Sequence, residues 1–199
     1  NIIKLGKEIK KIKVGHAGTL DPLAGGLLIV CTGKFTKRID EIQDQKKVYS
    51  GEITIGATTP SYDKETEIDK TFDISHITEE IIHSTCKKFE GIIMQKPPIF
   101  SALKREGKRL YRHAREGTKI EIKEREVEIE YFKITNIDFP KLLFKVKCGK
   151  GTYIRSLAFD YGKALNSGAF LSKLKREKIG KYCLENAMLI DQFREKILN

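Results

Sequence analysis

Val14-Gly15-His16-Ala17-Gly18-Thr19-Leu20-Asp21-Pro22-Leu23-Ala24-Gly25-Gly26-Leu27-Leu28 places four glycines and one carboxylate within fifteen residues. The glycines let the backbone turn tightly and approach a ligand closely. Two nucleotide loops are excluded by spacing. Gly33-Lys34 is followed by Phe35 instead of Ser or Thr, and Leu28 stands where a phosphate loop needs its first glycine. This stretch holds no G-x-G, so a dinucleotide fingerprint fails there as well. What remains is Asp21, fixed between Leu20 and Pro22. On spacing alone, a turn-forming Asp-Pro pair is the ordinary alternative to a reactive carboxylate.

Outward from this loop, the opening residues read as a helix, with Ile2, Ile3, Leu5, Ile9 and Ile12 among lysines. Leu27 to Cys31 has the length of a buried strand. Val48 to Gly56 alternates, with Tyr49, Gly51, Ile53 and Ile55 on one face and Ser50, Glu52 and Thr54 on the other. Thr58 to Thr71 is polar and irregular. Thr78 is placed to cap a helix, with Ile77 stapling onto Ile82 and Ile81, Ile82, Cys86 and Phe89 forming its core face. Gly91 suits the exit of that helix, and Pro97-Pro98 forces an extended segment. Leu110 to Glu116 fits a short basic helix. Val127 to Thr135 and Leu142 to Cys148 read as strands. Ile154, Leu157, Ala158, Tyr161 and Leu165 form a helix stripe, and a last helix is expected over Leu189 to Leu198. Strands and helices do not alternate regularly. The expected class is therefore α+β with a mixed, largely antiparallel sheet flanked by helices, as one domain over residues 1–199.

The chain has 199 residues, 40% hydrophobic and 33% charged, which suits a globular protein. No apolar run approaches the roughly 20 residues of a membrane span, and no signal-peptide order is visible. The chain lacks an initiator Met, so residues upstream of Asn1 are expected. Cys31, Cys86, Cys148 and Cys183 lie far apart and read as reduced core residues of a cytoplasmic protein, and no metal is inferred. Lys and Arg outnumber acids 38 to 27, for a formal charge of +11, a balance that suits a polyanion. The excess concentrates. Residues 100–119 hold seven basic side chains (Lys104, Arg105, Lys108, Arg109, Arg112, Arg115 and Lys119) against Glu106 and Glu116. Tyr111 and His113 interleave as stacking surfaces. Lys173, Lys175, Arg176, Lys178 and Lys181 form a second basic run.

The glycine-rich stretch resembles the signature loop G-H-x-G-x-L-D-P-x-A-x-G of the TruB-type tRNA pseudouridine-55 synthases, with every fixed position occupied. Four further motifs follow in register. Lys47-Val48-Tyr49 is similar to the family's K-x-Y strand, and Gly56 to Asp63 to its G-x-x-T-x-T-x-D loop, with Ser61 in place of Thr. Pro98 to Lys104 is similar to P-x-x-S-A-L-K, and Gly151 to Arg155 to G-T-Y-I-R. The family's K-P-x-G-x-T-S segment is absent, Gly25 stands where Thr is common, and the chain ends without room for an appended RNA-binding PUA domain.

The resemblance implies a cofactor-free isomerase that flips a uridine out of the tRNA T loop and converts it to pseudouridine. It implies Asp21 as nucleophile, Arg155 as its ion-pair partner, and Tyr49 as a ring stacked on the uracil and able to move a proton. Tyr153 would contact the base, Leu174 would form a hydrophobic floor, and His16 would fill the space the base leaves. For Tyr49 a cross-strand core role is the usual fate of a strand tyrosine. The basic insertion, about residues 95–125, would act as a thumb closing on the T stem-loop, with Lys104 and Arg109 among its RNA contacts. The expected partner is tRNA alone, bound by a monomer. A non-catalytic RNA-binding module should have lost Asp21 or Arg155. A guide-RNA-dependent relative should rely on the PUA domain and partner proteins.

Overall fold

The computed structural model describes residues 12–100, 104–105, 108–109 and 122–198. The expected opening helix and the basic helix Leu110–Glu116 lie outside the described residues. Thirteen strands and four α-helices follow in chain order among the described residues. Strands β1 (Val14–His16), β2 (Ala24–Gly26) and β3 (Val30–Thr32) carry the glycine-rich stretch, followed by α1 (Ile39–Asp44). The long β4 (Lys47–Ile55) precedes the short pair β5 (Ala57–Thr58) and β6 (Lys70–Thr71), then α2 (Glu79–Cys86) and β7 (Gly91–Gln95). Strands β8 (Lys104–Arg105) and β9 (Lys108–Arg109) pair with each other. Strands β10 (Arg125–Asp138) and β11 (Lys141–Cys148) lead to α3 (Ile154–Ala164), β12 (Ala169–Ile179), β13 (Tyr182–Cys183) and α4 (Ile190–Leu198).

The main sheet has seven strands in the order β13-β12-β4-β11-β10-β7, with β2 added in parallel along β12. All other pairings in it are antiparallel, so the expected α+β class holds. Residues directly opposite in a ladder share a face. Tyr49 faces Val146 and Arg176, Gly51 faces Phe144 and Leu174, and Ile53 faces Leu142 and Leu171. This face meets the buried stripes of α2 (Ile82, Cys86) and α3 (Leu157, Ala158, Tyr161) in one core. Each fully buried Leu, Ile or Phe there contributes about 1.5–3 kcal/mol. The Tyr161 hydroxyl donates to Ile82 O at 2.8 Å and so joins the two helices.

Local chemistry explains most boundaries. The Thr78 side chain accepts from Ile81 N at 3.3 Å, which caps α2 as expected. Gly91 takes φ +93° as the first residue of β7. Three expectations are corrected. Ile81 is exposed while Ile82 is fully buried, so the core face of α2 runs through Ile82, Thr85 and Cys86. The stretch Thr58 to Thr71 is not wholly irregular, since Thr58 and Lys70 pair across β5 and β6. The second basic run is the central strand β12, which buries Arg176 while leaving Lys173, Lys175 and Lys178 exposed.

Candidate active site

Asp21 sits on a turn between β1 and β2. Its carbonyl accepts from Ala24 N at 2.9 Å, and Gly18 (φ +94°) and Gly26 (φ +102°) supply left-handed backbone on either side. The loop is then tied down. Ala17 N donates to Ile29 O at 2.9 Å and Leu27 N to Arg176 O at 2.8 Å. Ala17, Leu27, Cys31, Ile42 and Ile179 form a small second core beneath it.

Arg155 comes from the first turn of α3, 134 residues away in sequence. A cation at a helix N-terminus opposes the macrodipole by roughly 0.3–1 kcal/mol. Two carboxylates offset this. The guanidinium meets Asp21 as a fork, Nε to Oδ2 at 3.0 Å and Nη2 to Oδ1 at 3.1 Å. Its third nitrogen, Nη1, donates to Phe100 O at 2.9 Å and lies 3.4 Å from Asp63 Oδ2. The Arg155 side chain is 3% exposed, whereas that of Asp21 is 32% exposed. The pair thus presents a fixed carboxylate at the surface of a cleft and hides the charge that fixes it. Asp63 is fully buried, and its Oδ1 accepts from Ser61 Oγ at 2.5 Å and Glu65 N at 2.9 Å.

Asp21, Tyr49, Tyr153 and Leu174 line one cavity of about 110 Å³ together with Thr19, Leu20, Thr152 and Ile154. Larger grooves, of about 490 and 550 Å³, include neither Asp21 nor Arg155, and the second adjoins the small cavity at Leu174. The small cavity has two aromatic rings, an aliphatic wall and one carboxylate, the lining that a single flat heteroaromatic ring requires. Burial pushes the Tyr49 phenol up to about 12, partly countered by the nearby Arg176 guanidinium, so the hydroxyl is a neutral donor and acceptor at ordinary pH. Leu174 is buried on β12 opposite Gly51, where a Cβ would lie 2.2 Å from Lys173 O.

Tyr153 is the N-cap residue of α3, and its ring is held from behind. The buried Gln95 side chain accepts from Tyr153 N at 2.7 Å and donates to Tyr153 O at 3.0 Å. The Arg125 guanidinium lies 4.8 Å from the ring centroid. Gln95 and Arg125 are cross-strand partners of β7 and β10, so the sheet edge builds this support.

The structure therefore gathers Asp21, Arg155, Tyr49, Tyr153 and Leu174. His16 stands apart: it ends β1 opposite Val30 and does not line the cavity. Its Nδ1 is buried without a hydrogen-bond partner among the described residues. Lys104 and Arg109 are paired by backbone across β8 and β9, and their side chains lie outside what is described. Three residues escaped the sequence reading. Asp63 was visible only as the last letter of a quoted motif. Arg176 was detectable as the residue two positions after Leu174 on a strand. Gln95 carried no sequence signal.

Comparison with known proteins agrees with this geometry. A family model described as TruB family pseudouridylate synthase (N terminal domain) matches residues 6–154. The chain is 61% identical over 188 residues to tRNA pseudouridine synthase B of Flavobacterium johnsoniae, covering 94% of this chain and 82% of that one. The protein of the same name from Parabacteroides distasonis is 51% identical over 192 residues, covering 95% and 82%. Among solved structures, a Cbf5–Nop10–Gar1 complex matches with TM-score 0.66 and 28% identity over 91% of this chain and 46% of that chain. An H/ACA RNP bound to a substrate RNA containing 2′-deoxyuridine matches with TM-score 0.64 and 26% identity over 92% and 44%. The chain thus spans less than half the length of these structural neighbours. With five motifs in register, a carboxylate held by a buried arginine and a family match over most of its length, this chain belongs to the TruB family of pseudouridylate synthases.

Proposed function

We propose that this chain converts uridine 55 in the T loop of tRNA to pseudouridine, with Asp21 as the nucleophile. The observation that carries the reading is the forked contact between Arg155 and Asp21 at the wall of a cavity that Tyr49, Tyr153 and Leu174 also line. The names of the most similar curated relatives point to tRNA as substrate. Their 48–61% identity outweighs the 26–28% shared with the guide-RNA assemblies.

The reaction breaks the bond from ribose C1′ to N1, turns the base, and joins C1′ to C5; the C5 proton is lost and N1 gains one. It is redox-neutral, and a carboxylate suffices as covalent catalyst. The Arg155 fork holds the Asp21 carboxylate and aims it. A uridine inside a folded loop reaches this carboxylate only after extrusion. The flipped uracil lies between Tyr49 and Tyr153 with Leu174 beneath it, and His16 occupies the gap in the RNA stack. The Tyr49 hydroxyl, held neutral, mediates removal of the C5 proton. The basic insertion bearing Lys104 and Arg109 supplies phosphate contacts, and the proposed enzyme acts as a monomer in the cytoplasm without a partner chain.

The test is release of tritium from a tRNA transcript labelled at uridine C5, compared with the same transcript carrying cytidine at position 55. Release from the first and none from the second is expected. Equal release from both would overturn the assigned position, and none from either would overturn the reaction.

A further inference from the structure

Arg176 is, with Arg155, among the largest buried side chains of the described residues, at 2% exposure, and no carboxylate pairs with it among those residues. A buried cation must be answered by other polar groups. Here they are carbonyl oxygens of the loop that carries Asp21. Arg176 Nε donates to Leu27 O at 2.8 Å and Nη2 donates to Gly18 O at 3.1 Å. Leu27 N in turn donates to Arg176 O at 2.8 Å, so side chain and backbone of one residue hold both polar groups of Leu27. Gly26 permits this approach: at φ +102° it has no Cβ, and one placed there would lie 2.4 Å from Arg176 O. Gly18 and Leu27 bracket Asp21, three residues before it and six after.

We propose that Arg176 is a positioning residue that sets the shape of the Asp21 loop by gripping it at Gly18 and Leu27, and that it makes no contact with RNA. The inference rests on the proposed role of Asp21. It divides the labour between two buried arginines. Arg155 orients the carboxylate through its oxygens, and Arg176 places the backbone from which that carboxylate projects. Arg176 also faces Tyr49 across the β4–β12 ladder, and its positive charge counters part of the effect of burial on the Tyr49 phenol. One side chain therefore couples the loop to the ring proposed to move the proton. Lysine is not equivalent here, because a single ammonium cannot span two carbonyls that a planar fork reaches together.

The experiment is Arg176→Lys, compared with wild type by single-turnover tritium release, by RNA affinity at several salt concentrations, and by thermal unfolding. A misplacement near 1 Å costs on the order of 10²-fold in rate, and a loss of that size is expected with Kd and its salt slope unchanged. A raised Kd with a slope shallower by about 0.7–0.9 would make Arg176 a phosphate contact and overturn the proposal. A lower Tm with an unchanged rate per folded molecule would reduce it to a purely structural residue, which also overturns it. Should the lysine variant lose its circular dichroism, Gly18→Ala probes the same grip from the other side, since its methyl would lie 3.6 Å from Arg176 Nη1 at φ +94°. The same split is expected there, and an unchanged rate overturns the proposal. Silence of the wild type would sink the proposed reaction and this inference with it. An active wild type with an equally active Arg176→Lys sinks the inference alone.

Discussion

Arg155→Lys separates aiming of Asp21, the proposed nucleophile, from binding of the substrate. The guanidinium makes two charge-assisted hydrogen bonds to Asp21, at 3.0 and 3.1 Å, while Nη1 holds Phe100 O at 2.9 Å. An ammonium on a flexible stem keeps at most one of the two bonds to Asp21 and cannot serve the other partner simultaneously. A hydrogen bond to a charged group is worth about 1.5–3 kcal/mol. With about 1.4 kcal/mol per decade of rate, loss of one aiming bond predicts a fall of roughly 10- to 100-fold. Because Arg155 is 3% exposed, RNA affinity, which resides largely in phosphate contacts, should stay within about twofold. The assay is single-turnover tritium release at saturating enzyme, paired with filter binding. An unchanged rate, or a rise in Kd matching the fall in rate, would refute the aiming role.

Two further outcomes follow from the same structure. The Tyr49 phenol is held at about 12, above its ordinary value near 10, so its contribution to stability is complete below about pH 10 and is lost as pH climbs towards about 12. Denaturant titrations should therefore show wild type losing about 2–3 kcal/mol relative to Tyr49→Phe across that window, and a constant difference would contradict the burial of the hydroxyl. On the proposed role of the basic insertion, Lys104→Ala combined with Arg109→Ala should weaken RNA binding and flatten its salt slope by about 1.5, with little change in rate at saturation; an unchanged slope would contradict that role.

Strand β4 was legible because its apolar residues Tyr49, Ile53 and Ile55 recur with a period of two towards the core, although Val48 and Glu52 on the opposite face are buried as well. The cap at Thr78 and the stripe of α3 were legible for similarly local reasons. Strand β12 was not. Its register shifts between Leu171 and Lys173 and between Arg176 and Lys178, so the alternation breaks twice. Its inward position at Arg176 is charged, so the sequence showed a basic run and not a strand with a core face. The site shows the same division. Asp21 and Arg155 lie 134 residues apart, and no local pattern joins them; resemblance named both, and coordinates supplied the 3.0 Å contact. Gln95 lies beyond either route, because its role is to satisfy the backbone of Tyr153, and backbone needs leave no mark on side-chain patterns.

The most direct test of the central claim is Asp21→Asn. This nearly isosteric change keeps one acceptor oxygen for Arg155 and removes the nucleophilic charge. Tritium release should fall to background while RNA binding and thermal unfolding stay close to wild type. Release at a rate comparable with wild type would show that the reaction does not pass through this carboxylate.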